Sequence, residues 1–234
     1  MNIVGSRLPA TASYLLRIKI SVCPQIMDNK VNWGILGVAD IAVKRVIPAM
    51  QRGELSQVVA IASRNLKKAQ EAAEQLGIAR AYGSYEDLLA DPEVEAVYNP
   101  LPNHLHVPWS IKAAEAGKHV LCEKPISLTV EEAISLLRTR DRTGMKIEEA
   151  FMVRTHPQWR GAVDLISKGC IGAVRSVAGY FSYYLRDPQN VRNVFDYGGG
   201  ALMATRFKAI SFLKAYVRGR NCLYHWRLPF GTWR

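Results

Sequence analysis

Cysteine is scarce, with four in 234 residues. Cys23, Cys122, Cys170 and Cys222 form no CxxC pair, so the chain offers neither zinc-ligand spacing nor a disulfide framework, and a reducing, cytoplasmic setting is expected. Long apolar runs are lacking as well. Tyr14 to Ile26 is the most apolar N-terminal stretch, and Arg17, Lys19 and Pro24 break it well short of the about 18 residues that a spanning helix needs, so no membrane partner is expected. Acid is scarce at the ends of the chain. Of the formal net charge of +11, residues 1–30 carry +3 and residues 204–234, with seven Lys or Arg and no acid, carry +7, which leaves +1 for residues 31–203. A near-neutral body excludes a specific nucleic-acid-binding fold, although the basic C-terminal stretch could hold polyanions non-specifically. Internal repeats are absent too.

The sequence has 49% hydrophobic and 22% charged residues, ordinary usage for a globular protein. Residues 1–30 read as an N-terminal extension, with Met27 placed as a natural start and nothing upstream of it expected to contribute to binding. From Val31 onward short apolar runs alternate with helical patterns, the signature of βαβ units. Strands are expected at 32–36, 57–62, 80–82, 94–99, 119–122 and 146–148. Helices are expected at 41–52, 66–77, 107–117 and 130–143, the last opened by Thr129 as N-cap. Residues 31–148 would then form a doubly wound parallel sheet. Residues 149–203 change character: a helix at 156–169 precedes Val174 to Tyr184, rich in Val, Tyr and Phe with strand-like alternation. The expected fold class is α/β, a Rossmann doubly wound parallel sheet followed by an incomplete α+β open-sheet domain, and then a divergent basic tail at 204–234.

Gly37-Val-Ala39-Asp40-Ile41-Ala42 falls at the end of the first strand and opens a helix, the context that the dinucleotide fingerprint G-x-G-x-x-G/A requires. Gly37 permits the tight turn, Ala39 lets backbone come near a pyrophosphate, and Ala42 allows close helix packing. The alternative is a small-residue turn with no ligand. About 26 residues on, where an NAD site places a carboxylate on the ribose 2′-hydroxyl, the chain has Ser63 and Arg64, a hydroxyl and a guanidinium suited to a 2′-phosphate. This selects NADP as the cofactor. Lys67 and Lys68 follow on what reads as a solvated helix face, Lys68 being the outer candidate for the same phosphate. Lys124, in Glu123-Lys124-Pro125 directly after the fifth strand, lies where ligands of such sheets bind and could exchange a proton with a substrate oxygen. Taken alone, it would be a surface lysine at a strand end.

Together with Asn99-Pro100-Leu101-Pro102-Asn103-His104, Glu149-Ala150 and Arg154-Thr155-His156-Pro157, these motifs resemble the glucose-fructose oxidoreductase and inositol dehydrogenase (Gfo/Idh/MocA) family over residues 31–203. Within it they are most similar to the NADP-using branch with xylose and dihydrodiol dehydrogenases. The resemblance implies that Lys124 is the catalytic lysine, preceding a cis peptide to Pro125. It implies that Pro100, Leu101, Pro102, Asn103, His104, Glu123, Lys124 and Arg154 lie along the cofactor, with Asp40 and Ile41 at the pyrophosphate. Arg154 and His156 would reach the active site from the second domain, His156 as a further catalytic residue; a hydrogen-bonded histidine beside Pro157 is the bland alternative. His104-x-His106 has a spacing seen in metal sites, but without a nearby Cys, Asp or Glu cluster it reads as a helix opening and no metal is expected.

The family pattern breaks after Met203. Ala204 and Lys208 stand where the resemblance implies an Asp and a His or Tyr that orient substrate, and a frame shift or early end of the gene is the expected reason. The implied function is NADP(H)-dependent hydride transfer to or from a CH–OH or C=O group of a sugar or cyclic diol, with weak activity expected of this chain. The alternative is a non-catalytic NADP-binding or regulatory protein. Complete family members would be homo-oligomers through the open sheet; no such assembly is expected here.

Overall fold

The computed structural model describes residues 30–178 and 184–199 and the backbone of 223–225. The expected N-terminal extension, the strand continuation at 179–183, Ala204, Lys208 and nearly all of the basic tail lie outside them. The body is a six-stranded sheet in the order β3-β2-β1-β4-β5-β6. Its strands are β1 Val31–Leu36, β2 Ser56–Ala62, β3 Arg80–Tyr82, β4 Ala96–Asn99, β5 His119–Cys122 and β6 Ile147–Glu149, and every pairing is parallel. This is the doubly wound Rossmann order.

Because both faces are covered, the strands are apolar on both sides, with neighbouring residues facing opposite layers. Leu36, Ala62 and Val97 join one cluster with Leu88, Leu89 and Ala113. Ile35, Ile61 and Tyr98 join the other with Ile47, Ala72 and Ala73.

The helices start and stop where side chains permit. α2 (Leu66–Leu76) is capped by the Asn65 side chain, which accepts from the Lys68 amide, and ends at Gly77 with φ +65°. α4 spans His106–Glu115. α5 (Val130–Thr143) opens on a reciprocal capping box between Thr129 and Glu132, with acids in its first turn and Arg140 and Arg142 in its last, matching the helix dipole.

Two features depart from the sequence reading. The first helix is not uniform: a π-helical turn at Ala42–Val46 runs into α1 (Ile47–Gln51). Pro48 has no N–H and its ring crowds the carbonyl four residues back, and the widened turn accommodates both. The other is α3 (Tyr85–Ala90), which was not expected; it is short, but Ser84 caps it by accepting from the Asp87 amide and it buries Tyr85, Leu88 and Leu89. Leu88 packs so near β1 that a Cβ on Gly34 would lie 2.7 Å from it.

Beyond β6, α6 (Pro157–Ser167) follows a short 3-10 turn, and β7 (Ser176–Ala178) pairs in parallel with β8 (Leu223–His225). No helix among the described residues is long and apolar enough to cross a membrane.

Asp91, in the loop between α3 and β4, is the most heavily engaged buried acid. Its carboxylate accepts from the Tyr82 hydroxyl at 3.0 Å and the Glu93 amide at 2.9 Å and forms an ion pair with Arg80, whose Nε lies 2.9 Å away, while Lys118 Nζ donates to its backbone carbonyl at 2.7 Å. Burial pushes its pKa up, but the hydrogen bonds and the charges of Arg80 and Lys118 outweigh it and hold the carboxyl below its ordinary value. The contribution to stability is therefore complete above the ordinary Asp range and is lost as pH falls through the lowered native value. Asp91→Ala should cost about 3 kcal/mol in urea unfolding at neutral pH, because it strands buried partners, and should flatten the acid side of the stability profile.

Candidate functional site

In a parallel sheet of this order the chain reverses direction between β1 and β4, and a crevice opens outside the carboxyl ends of the strands. Loops bearing most of the candidate residues leave the sheet at this edge. Gly37 follows β1 with φ +95°, its amide donating to Ala62 O at 2.8 Å. A Cβ on Gly37 would stand 2.9 Å from Leu101 Cδ2 and 3.6 Å from the Tyr85 hydroxyl, so only glycine fits the turn. Ala39 O accepts from Val43 N at 3.0 Å as the helix begins, and Ala42 is wholly buried. Asp40 and Ile41 are exposed on the first turn, Asp40 pairing with Lys44 at 2.6 Å.

After β2, Ser63 N donates to Tyr82 O at 3.0 Å and Ser63 Oγ accepts from Asn65 N at 3.2 Å, which fixes the turn. Arg64 is exposed; burial raises the pKa of the Tyr85 phenol, and the charge of Arg64 opposes that rise. The Lys67 and Lys68 side chains are exposed, and the Lys68 amide serves the α2 cap.

The loops after β4 and β5 share an internal frame that the sequence reading did not identify. Asn99 is wholly buried and donates through Nδ2 to His106 O at 3.1 Å and Ser110 Oγ at 3.2 Å. Its Oδ1 accepts from Leu101 N. His106 opens α4 as expected, but its ring is also a strut, with Nε2 2.7 Å from Leu101 O and Nδ1 2.6 Å from Pro125 O. Burial lowers its pKa against the pull of those carbonyls and of Glu123, while Lys124 adds to the lowering. The histidine thus spans the two loops that carry Pro100-Leu101 and Lys124-Pro125. Pro100 and Leu101 are buried.

The Lys124–Pro125 bond is cis. Glu123 lies within the protein: Oε1 accepts from the Tyr98 hydroxyl at 2.8 Å and Oε2 from the Lys124 amide at 3.3 Å. Tyr98 is buried, and burial with the adjacent carboxylate raises its pKa far enough to keep it a donor. Glu149, at the end of β6, accepts from Ile126 N at 3.0 Å. Burial raises its pKa, opposed by Ile126, Arg154 and Lys124 and helped by Glu123. Lys124 therefore sits in the field of two carboxylates on adjacent strand ends.

Asn103 and His104 face the segment beyond α6. Asn103 Nδ2 donates to Gly198 O at 2.9 Å, and the His104 ring stacks on Tyr197 with centroids 4.8 Å apart and planes 19° apart. Gly198 has φ +74°, and a Cβ there would meet Leu128 at 2.6 Å. Arg154 is exposed in the 3-10 turn Met152–Arg154. His156 is not drawn into the Lys124 cluster by any described contact: it is exposed and caps α6, Nδ1 accepting from Gln158 N at 3.2 Å. Its geometry is that of the hydrogen-bonded alternative beside Pro157.

A glycine-turn crevice at the reversal point of a parallel sheet, flanked by a guanidinium on one side and a lysine between carboxylates on the other, defines a dinucleotide-binding oxidoreductase fold. The family model of Gfo/Idh/MocA oxidoreductases, described as an oxidoreductase family with an NAD-binding Rossmann fold, matches residues 31–151, and the chain belongs to that family. It is 57% identical over 172 residues to the oxidoreductase ORF334 of Rhizobium meliloti, covering 74% of this chain and 52% of that one. With D-xylose 1-dehydrogenase (NADP(+)) 2 of Haloferax volcanii it shares 44% identity over 193 residues, 82% of this chain and 59% of the relative. KijD10, a 3-ketoreductase from Actinomadura kijaniata crystallised with NADP and TDP-benzene, superposes with a TM-score of 0.76 at 37% identity, over 80% of this chain and 57% of that chain. The chain thus spans a little over half the length of these relatives.

His106→Leu should lower stability by about 3 kcal/mol in denaturant unfolding, because whichever of the Leu101 and Pro125 carbonyls receives the single ring N–H loses its donor and the link between the two loops is removed. An unchanged midpoint would show that the strut carries no load.

Proposed function

We propose that the chain is the cofactor-binding and proton-relay part of an NADP(H)-dependent oxidoreductase acting on a CH–OH or C=O group of a sugar or cyclic diol. The observation that carries this reading is the convergence of the Gly37 turn, the Ser63-Arg64 turn and Lys124 on one edge of the sheet. NADP fits the residues present. The Gly37 turn has no room for a side chain, and after β2 a hydroxyl and a guanidinium stand where an NAD site requires a carboxylate. Residues 31–148 would bind the cofactor and residues 149–203 would begin the substrate side. The D-xylose 1-dehydrogenase is named for a sugar and the 3-ketoreductase for reduction of a ketone, which supports the substrate class.

Bound in the crevice, the nicotinamide would supply or accept the hydride. Ser63 and Arg64 would hold the 2′-phosphate, Lys68 adding charge at longer range. Gly37 and Ala39 would admit the pyrophosphate to the helix start, beside Asp40 and Ile41. Pro100, Leu101, Asn103 and His104 would form the crevice floor toward the nicotinamide. Lys124 Nζ would give a proton to the substrate oxygen as a carbonyl is reduced, or take it as an alcohol is oxidised. Glu123 and Glu149 would keep Lys124 oriented, with Arg154 at the border. His156, exposed and capping a helix, is given no reacting role.

Fluorescence titration should show NADPH binding at least about 10-fold tighter than NADH, the advantage of charge-assisted contacts to the phosphate. Arg64→Glu should abolish that preference; equal affinities in the wild type would sink the NADP assignment.

Turnover should be weak, because Ala204 and Lys208 stand where the family resemblance implies the substrate-orienting acid and its partner. NADP+ reduction with a panel of aldoses and cyclic diols tests this. Lys124→Ala should remove roughly 10²-fold or more of the rate and leave NADPH affinity nearly unchanged. Cofactor binding without turnover on any substrate would favour a non-catalytic role.

A further inference from the structure

The segment beyond α6 has no role in the reading above, yet one turn of it rests on the crevice loops. Residues 195–199 are ordered from within: Tyr197 N at 3.2 Å and Gly199 N at 3.0 Å both donate to Val194 O, and Gly198 N donates to Phe195 O at 2.9 Å. This turn meets the 3-10 turn Asn103–Leu105, which follows β4. Gly198 O accepts from Asn103 Nδ2 at 2.9 Å, and the Tyr197 ring lies on the His104 imidazole with centroids 4.8 Å apart and planes 19° apart. It reaches the loop after β5 as well. A Cβ on Gly198 would stand 2.6 Å from Leu128 and 3.1 Å from Asn103 Cβ, so the glycine is wedged between the two loops.

The 3-10 turn that it covers gains from outside support. Leu105 N closes it on Pro102 O at 2.8 Å, but it is only three residues long and no described side chain caps its start. So short a helix has little cohesion of its own. His104 Nδ1 is buried and has no hydrogen-bond partner among the described residues, so packing against Tyr197 rather than a polar contact holds that side of the ring. The network of Asn99 and His106 already fastens the loops after β4 and β5 from within the protein, and the turn fastens them at a second place.

A doubly wound sheet is built from two mononucleotide-binding halves, one over β1 to β3 and the other over β4 to β6. Ser63 and Arg64 belong to the first, whereas both loops joined by the turn belong to the second, the nicotinamide side. We propose that the turn Phe195–Gly199 clamps the loops after β4 and β5 together, and that Tyr197 is thereby a positioning residue for the nicotinamide half of the dinucleotide. It acts through His104 and touches no reacting atom. A loop already held in its bound form avoids the cost of being ordered when the ligand arrives. The inference rests on the reading that the crevice takes NADP(H). It adds that a residue well beyond the cofactor domain in sequence tunes affinity for one half of that molecule.

The test is calorimetric titration with NADPH and, in parallel, with adenosine 2′,5′-bisphosphate, which carries the adenine half and the 2′-phosphate but no nicotinamide. The proteins are the wild type, Tyr197→Leu and Tyr197→Phe, each checked for folding by its thermal transition. Tyr197 is 41% exposed, so neither change should unfold the sheet. Tyr197→Leu should weaken NADPH about 3- to 10-fold, the worth of one aromatic pair, and leave the bisphosphate within about 2-fold. Tyr197→Phe keeps a ring on His104 and should bind both ligands within about 2-fold of the wild type. NADPH affinity unaltered by Tyr197→Leu, equal losses for the two ligands, or as large a loss from Tyr197→Phe would overturn the inference while leaving the cofactor reading intact. A wild type that fails to bind NADPH would overturn both.

Discussion

The last rung of the parallel ladder sets the geometry of the crevice. At four of the six strand ends the first loop amide still donates to a neighbouring strand: Gly37 to Ala62, Ser63 to Tyr82, Glu123 to Asn99 and Ala150 to Cys122. These bonds hold successive loops at a common height above the sheet. A displaced strand end would move a whole loop with its functional side chains. The same constraint explains why small residues gather here. Gly37 must turn back against Leu101, and Gly198 must pass Leu128, because neighbouring loops leave no space for a side chain at either point.

A second layer of control is buried beneath the loops. Asn99 and His106 contribute no group to the crevice, yet between them they engage the backbone of the loops after β4 and β5. Tyr98 does the same for Glu123 by reaching from the β4 strand to the loop after β5. In a low-dielectric interior such bonds are stiff, and an unpaired member is costly, so the network specifies one arrangement of Lys124 relative to Leu101. Glu149 extends the pattern to β6. Polar groups buried under the edge thus make one rigid floor out of loops far apart in sequence.

Much of this architecture was legible in the residues. Apolar runs bounded by turn residues gave most strand ends to within one residue, because a strand buried on both faces has few other ways to be written. Caps such as Thr129 and Gly77 marked helix ends through local chemistry alone. Gly37 stood out because its turn needs a backbone that only glycine adopts easily. What escaped notice depends on distant partners. Tyr85 and α3 look like part of a loop until Ser84 and Asp87 are read as a cap and Leu88 is seen against Gly34. The sequence shows His106 only as a helix opening, since no local pattern reveals carbonyls brought to it from five residues before and nineteen after. For His156 the local reading was informative, as Pro157 beside it already pointed to a helix start.

The widened turn at Ala42–Val46 has a consequence for how this helix meets the sheet. Ala42 and Ile47, five positions apart, are both wholly buried in the same cluster. In an uninterrupted α-helix, at about 100° per residue, five steps would carry the second side chain well around the cylinder from the first. The π-helical turn takes up the excess rotation, so the small residue that sits close to the fingerprint and the large one that fills the core point the same way. In effect the helix holds one residue more than its length along the axis accounts for. It is a local change of phase, which lets the start of the helix serve the crevice and its remainder serve the core.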